Sequence, residues 1–310
     1  HSDAQVAGWK QVTDAVHAAG GRIVLQVWHG GRACHPLFND GAQPVGPSPI
    51  AITNNEVRTA DGKQPYVTPR ELRDDEIPAI VAGFGKAAAN ARAAGFDGVE
   101  VHGANGYLLD EFLRDGANHR HGPYGGPIEH RARLLLEVIE ATCAVWGSGK
   151  VGVRVSPLNS YNAMRDSDPV GLIRWLGKRL NDYDLAYWHI MRGDVLGQQQ
   201  GDVMTPAREA YDGVLIGNMG SGTSTGLPGE WPRLHGDWFN RSLARIRLVH
   251  MYYRYKRQWR CAYLCGYIKL YDAPSIYRDE NGNSVQPFNF VSCHVDDRGE
   301  RYGVAKDLIP

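Results

Sequence analysis

The chain of 310 residues contains no apolar run near the roughly 18 residues that span a bilayer, nor a charged N-terminal stretch leading into an apolar one. A soluble protein without membrane insertion is expected. Excess charge is missing too: Lys plus Arg and Asp plus Glu number 34 each, so whole-chain charge does not draw the protein to nucleic acid or to an anionic membrane. Such a partner would need a local patch. Cysteine is scarce, with Cys34, Cys143, Cys261, Cys265 and Cys293 widely spread and without a CxxC pair. An odd, scattered set fits a reduced compartment, cytoplasm or organellar matrix, better than a disulfide framework. No internal repeat is present. The chain opens on His1 rather than Met, which reads as a processed, trimmed or incomplete start.

What is present is an alternation of two periods. Val6, Trp9, Val12, Val16 and Ala19 recur at helical spacing and stop at Gly20 and Gly21, whereas RIVLQVWH is short, β-branched and apolar, as suits a buried parallel strand. A long loop with Pro and Asn follows. IPAIVAGFGKAAANARAAGF is then a helix with Pro78 near its start and Gly95 near its end, and DGVEVHGANGY a second strand. The pattern repeats as a helix around His130 to Trp146, the strand VGVRVS, a helix around Val170 to Leu180, the strand LAYWHIM, a short helix and the strand GVLIGN. Strands alternating with helices imply βαβ units and a parallel sheet.

Each of these five strands ends in polar residues: Gln26 and His29; His102 and Asn105; Arg154; His189 and Arg192; Asn218. In parallel barrels the loops at that end can vary without breaking the core, so reacting groups collect there. A lone His on an apolar strand is usually a satisfied core residue. Five successive strands with the same ending favour a site.

HGANGYLLDEFL, together with LQVWHGGR, NHRHGPYGGPIEHRARLLLEV, VGVRVSPLNSYNAM, AYWHIMRGD and GVLIGNMG in that order, resembles the Old Yellow Enzyme family across nearly all of residues 1–220. The resemblance implies an α/β fold, a (β/α)8 TIM barrel that is incomplete or completed in trans. The family's first two strands and its last have no recognisable counterpart. Barrel strands leave no free edge, so the C-terminal extension or a partner protein is expected to fill the gap. One segment departs from the family pattern Asn-x-Arg-Thr-Asp-x-Tyr-Gly-Gly-Ser-x-Glu-Asn-Arg, at His121, Gly122, Pro127 and His130.

The resemblance further implies an FMN-dependent oxidoreductase that reduces activated C=C bonds of enones, maleimides or nitroalkenes with NAD(P)H. The alternative is an inactive descendant that serves as a structural or interaction subunit. In the enzyme, His102 and Asn105 bind the activating oxygen, where one donor is worth about 3 to 4 kcal/mol as charge grows. Tyr107 donates the proton, since a phenol with a pKa near 10 keeps it at about pH 7. Gln26 and Arg154 meet the flavin's pyrimidine edge, where a guanidinium stabilises the reduced anion. Trp28 lines the substrate pocket, and Asn218 with Gly220 offers a phosphate contact through the GNMG turn.

Beyond Gly220 the composition shifts. A Gly-, Ser- and Pro-rich linker (221–235) leads to a small α+β extension (236–310) in which 8 of the 15 tyrosines fall after Gly220. Residues 241–260 hold seven Lys or Arg and no acid among four aromatics, a stretch read as a helix with a solvated basic face in preference to a nucleic-acid surface. CAYLCGYIKLYD and VQPFNFVSCHV read as strands; in a working enzyme one of them, or a strand from a second chain, is expected beside GVLIGN, with Arg241, Arg245 or Lys269 the available cations near Asn218. Cys261, Cys265, Cys293 and His294 have ligand types for zinc but no standard spacing, so no metal site is expected.

Overall fold

Helix α1 (Asp3–Ala18) opens the chain, and its Val6, Trp9, Val12 and Val16 pack against the main core. A computed structural model describes residues 2–18 and 20–218, together with the backbone of four short strands within 246–302. Strand β1 (Arg22–Trp28) follows. The loop after it carries β2 (Val45–Gly46), the hairpin of β3 (Glu56–Thr59) with β4 (Gly62–Pro65), and β5 (Arg70–Glu71), which pairs with β2. Then come α2 (Ile77–Ala93), β6 (Gly98–Gly103), α3 (Leu108–Leu113), α4 (Ile128–Arg131), α5 (Arg133–Trp146), β7 (Val151–Val155), α6 (Pro169–Leu180), β8 (Tyr187–Met191), α7 (Met204–Ala210) and β9 (Leu215–Asn218).

The five expected strands stand side by side in the order β1-β6-β7-β8-β9, every pair parallel. This is an α/β fold, an incomplete (β/α) barrel of five neighbouring strands. Helices α2, α5 and α6 follow three of the strands and supply buried residues such as Phe84, Leu135, Val138 and Leu176 to a shared core. The sheet contributes alternate residues: Ile23, Leu25 and Val27; Val99 and Val101; Val151, Val153 and Val155; Trp188 and Ile190; Leu215. Period-2 alternation sends the residues between them to the opposite face. That face is not apolar. It carries Gln26, Glu100, His102, Arg154 and His189, all buried.

Three expectations change. Among the described residues β9 pairs with β8 alone, while β10 (Ile246–Leu248) runs parallel to β1 and β11 (Cys265–Tyr267) antiparallel to it. The strand expected beside GVLIGN therefore lies on the opposite border. Both border strands offer unpaired backbone groups, and β1 is the one these segments satisfy, β10 against Arg22–Val24 and β11 against Gln26–Trp28. VQPFNFVSCHV contributes β12 (His294–Val295), which pairs with β13 (Arg301–Tyr302). Second, residues 246–248 form a strand inside the stretch read as a helix, because ladder pairing outweighs a weak local helical preference. Third, Cys34 is disulfide-bonded, against the reading of the cysteines as reduced, although Cys143 is free. Gly220, Arg241, Arg245, Lys269, the linker and the side chains of the zinc candidates lie outside the described residues. Among the described residues no helix is long and apolar enough to cross a membrane.

Candidate active site

The parallel register aligns the polar face in rows. Gln26 of β1 stands opposite Glu100 of β6, and one layer closer to the strand ends His102, Arg154 and His189 are successive partners across β6, β7 and β8. Gly152 is needed in the lower layer, between Glu100 and Tyr187. A Cβ there would sit 2.3 Å from the ring of Tyr187, which lies across it.

Beyond β6 the chain turns sharply through Asn105 (φ 60°) and Gly106 (φ 71°). Asn105 tolerates the left-handed region at a cost that its surroundings offset. Its N–H donates to Ser156 Oγ (2.7 Å), its carbonyl accepts from Asn162 Nδ2 (3.0 Å), and its side-chain oxygen accepts from Asn159 Nδ2 (3.0 Å). The side-chain nitrogen of Asn105 makes no hydrogen bond among the described residues. A side chain at 106 is excluded, because its Cβ would approach Asn162 Cβ to 2.6 Å and Met164 Cγ to 2.8 Å. Gly106 N–H donates to Asp110 Oδ2 (2.8 Å), which ties the turn to α3.

Tyr107 is the N-cap residue of α3, with extended backbone. Its ring lies 4.3 Å from that of Trp28, edge to face, and 5.5 Å from that of His102. Trp28, His102 and Tyr107 thus form one aromatic cluster where β1 and β6 end. His29, the residue just after β1, belongs to the scaffold: its Nδ1 accepts from Gly31 N (3.1 Å), its carbonyl accepts from Leu108 N, and burial lowers its imidazole to about 4.

Under this cluster lies an ionic layer. Burial, opposed by Arg32, raises Glu111 to about 8, and burial, opposed by Arg114, raises Asp110 to about 6. Glu111 Oε1 accepts from Arg32 N (2.9 Å), and a side chain on Gly31 would collide with that carboxyl group. The Arg32 guanidinium reaches the carbonyls of Ile50 and Asn162, and the Arg114 guanidinium that of Asn159. Two loops are thereby fastened to the turn that carries Asn105.

At the other end of the row, Glu100 bridges two neighbours. Its Oε1 accepts from Gln26 Nε2, and its Oε2 lies 3.0 Å from His189 Nδ1. Burial works against its charge, yet His189, then Arg154 and Gln26, hold it well below the usual carboxylate range. Gln26 Oε1 and Arg154 Nε are buried with no hydrogen-bond partner among the described residues, and the guanidinium's other described contact is a weak one to Met191 Sδ at 3.9 Å. An open acceptor on β1 and an open guanidinium on β7, on either side of β6, fit the imide edge of a flavin, which offers an N–H flanked by carbonyl oxygens. Asn218 ends β9, and its carbonyl accepts from Arg192 N (3.1 Å), which brings a cation-bearing residue to that strand end.

The structure brings Gln26, Trp28, His102, Asn105, Tyr107 and Arg154 to one end of one sheet face. Asn218 stands two strands further on and one layer beyond that row, opposite Met191, since Ile216 is the partner of His189. Glu100, Ser156, Asn159 and Asn162 stand outside the residues that the sequence singles out. Glu100 had a signal there, a charged residue centred in an otherwise apolar strand.

Fold and site together define a (β/α)-barrel protein with rows of buried polar side chains toward the carboxyl ends of its strands. The profile of the NADH:flavin oxidoreductase / NADH oxidase family matches residues 1–209, and the chain belongs to that family. It is 46% identical over 219 residues to a probable flavin mononucleotide-dependent alkene reductase of Leishmania infantum, covering 69% of this chain and 60% of that protein. The solved old yellow enzyme from Trypanosoma cruzi superposes with a TM-score of 0.68 at 41% identity, over 71% of this chain and 63% of that one. Morphinone reductase gives 0.66 at 43% identity, over 70% and 60%. The chain spans less than two thirds of the length of each of these three proteins.

Proposed function

We propose that the chain is an FMN-dependent reductase of activated C=C bonds that uses NAD(P)H. The observation that carries this reading is the pairing of two ligand sets on one sheet face: the open Gln26 oxygen and Arg154 guanidinium, and the His102, Asn105 and Tyr107 group at the end of β6, where His102 is the register partner of Arg154. Bound FMN supplies a hydride, taken from NAD(P)H, to the carbon β to the substrate's activating group. Arg154 would hold the flavin's pyrimidine edge and offset negative charge there, and the Gln26 oxygen would accept from its N–H. Asn105, with its side-chain oxygen already engaged by Asn159, donates through its nitrogen to the activating oxygen, and His102 is its partner in that task. Tyr107, held by Trp28, delivers its proton to the α carbon and regains one from solvent. Enones, maleimides and nitroalkenes are the substrate class. Asn218 and Gly220 serve the phosphate, with Arg192 a described cation at that strand end.

The experiment is to add FMN to the purified chain and follow its absorbance through separate half-reactions. Tyr107→Phe is expected to slow reoxidation by an enone by about 10²- to 10⁴-fold while reduction by NAD(P)H stays nearly unchanged. A chain that retains no flavin would favour the second reading, an interaction subunit whose barrel a partner completes. That reading draws on β9, which pairs with β8 alone among the described residues.

A further inference from the structure

Glu100 is a charged residue in the middle of a strand whose neighbours Val99 and Val101 are fully buried, and it is itself 1% exposed. Burying a carboxylate is costly unless it is paired and hydrogen-bonded, so its position needs a physical return. Both oxygens are engaged, and by side chains from different strands: Gln26 on β1 and His189 on β8, the latter two strands away across β7. An ionised carboxylate can only accept. The Gln26 amide must therefore present its nitrogen to Glu100 and turn its oxygen the other way, where it is buried without a partner among the described residues. By the same rule His189 carries its proton on Nδ1.

We propose that Glu100 is a positioning residue for the cofactor end of the site, locking the Gln26 amide with its oxygen toward the ligand and fixing the tautomer of His189. The proposal rests on the flavin reading above. An amide free to rotate would offer donor and acceptor in either sense, and half of those arrangements face an imide N–H with another donor. Glu100 removes that ambiguity before the ligand arrives, the preorganisation that lowers the cost of binding. Its second effect is electrostatic. Its negative charge lies beside the Arg154 guanidinium and opposes the added negative charge of a reduced flavin, so Glu100 sets the reduction potential lower than Arg154 alone would.

The test compares wild type, Glu100→Gln and Glu100→Asp in the full chain. Without flavin, ¹H–¹⁵N spectra are expected to show the Gln26 carboxamide and the His189 Nδ1–H both hydrogen-bonded in wild type, one of the two bonds lost in Glu100→Gln, whose amide has a single acceptor oxygen, and both regained in Glu100→Asp. With FMN, Glu100→Gln is expected to raise the potential of the bound flavin and weaken its binding about tenfold, with Glu100→Asp restoring both toward wild type. Spectra and potential unchanged in Glu100→Gln would overturn the proposal, as would a variant that loses thermal stability and FMN occupancy while the bound fraction keeps its wild-type potential. If wild type binds no FMN, the flavin reading fails by itself. The flavin-free spectra still decide whether Glu100 orients the two side chains.

Discussion

Asn105 and Gly106 show how much of the site depends on two residues of backbone. Both adopt positive φ, and the space beside Gly106 is already filled by Asn162 and Met164. Gly106→Ala should cost about 1–3 kcal/mol, from left-handed strain and overpacking together, and displace Asn105 and Tyr107 from their neighbours. Chemical denaturation would register the first effect and the enone half-reaction the second. Unchanged stability would refute the packing argument. Glu111 makes a pH prediction. Its carboxyl is raised from 4.5 to about 8, chiefly by burial, so the folded state holds a proton that the unfolded state has already lost. The stability it contributes is complete below about 4.5 and disappears as pH rises through about 8. Urea midpoints should thus fall between about pH 5 and about pH 9, and Glu111→Gln, neutral throughout, should flatten that part of the profile. A wild-type slope that survives the substitution would assign the effect to another group.

Among the elements, α6 has the plainest start signal. Pro169 stands at its first turn and Asp168 caps it, accepting from Gly171 N at 2.8 Å. Asp168→Ala should lower the unfolding free energy by about 1 kcal/mol and leave flavin chemistry unaffected, which a melting curve beside an activity assay would check. The segment 118–131 carries a different lesson. Its four departures from the family pattern, His121, Gly122, Pro127 and His130, are all exposed, whereas Asn118, Arg120, Tyr124, Gly125 and Arg131 are buried. Asn118 donates to the carbonyls of Phe112 and Tyr124, Arg120 to those of Pro47 and Leu72, and Arg131 to that of Leu113 and to Asp166. A Cβ at Gly125 would strike the Arg120 carbonyl at 2.3 Å. The changes therefore fall where solvent replaces a lost contact, and the retained positions are those that hold α3 and α5 in place.

At the scale of the molecule, a ligand that binds only the folded state should stabilise it by about 2.7 kcal/mol when present at a hundredfold its dissociation constant. FMN is expected to raise the melting temperature of the full chain in a concentration-dependent way, and Arg154→Ala to abolish most of that rise. A shift unaltered in Arg154→Ala would place the flavin elsewhere. The sequence alone determined the parallel sheet, since its five strands are short apolar runs separated by helical periods, and local hydrophobic spacing suffices to specify such elements. It also marked the polar strand ends from Gln26 to Asn218. Only the tertiary structure decided that Glu100 reaches Gln26 on one side and His189 across β7 on the other, because side-chain contacts between strands depend on register and twist, which no local pattern encodes. The same holds for β10 and β11. The residues of β11 read as a strand and those of β10 as part of a helix, and the choice of β1 over β9 belongs to the border whose backbone they meet in space.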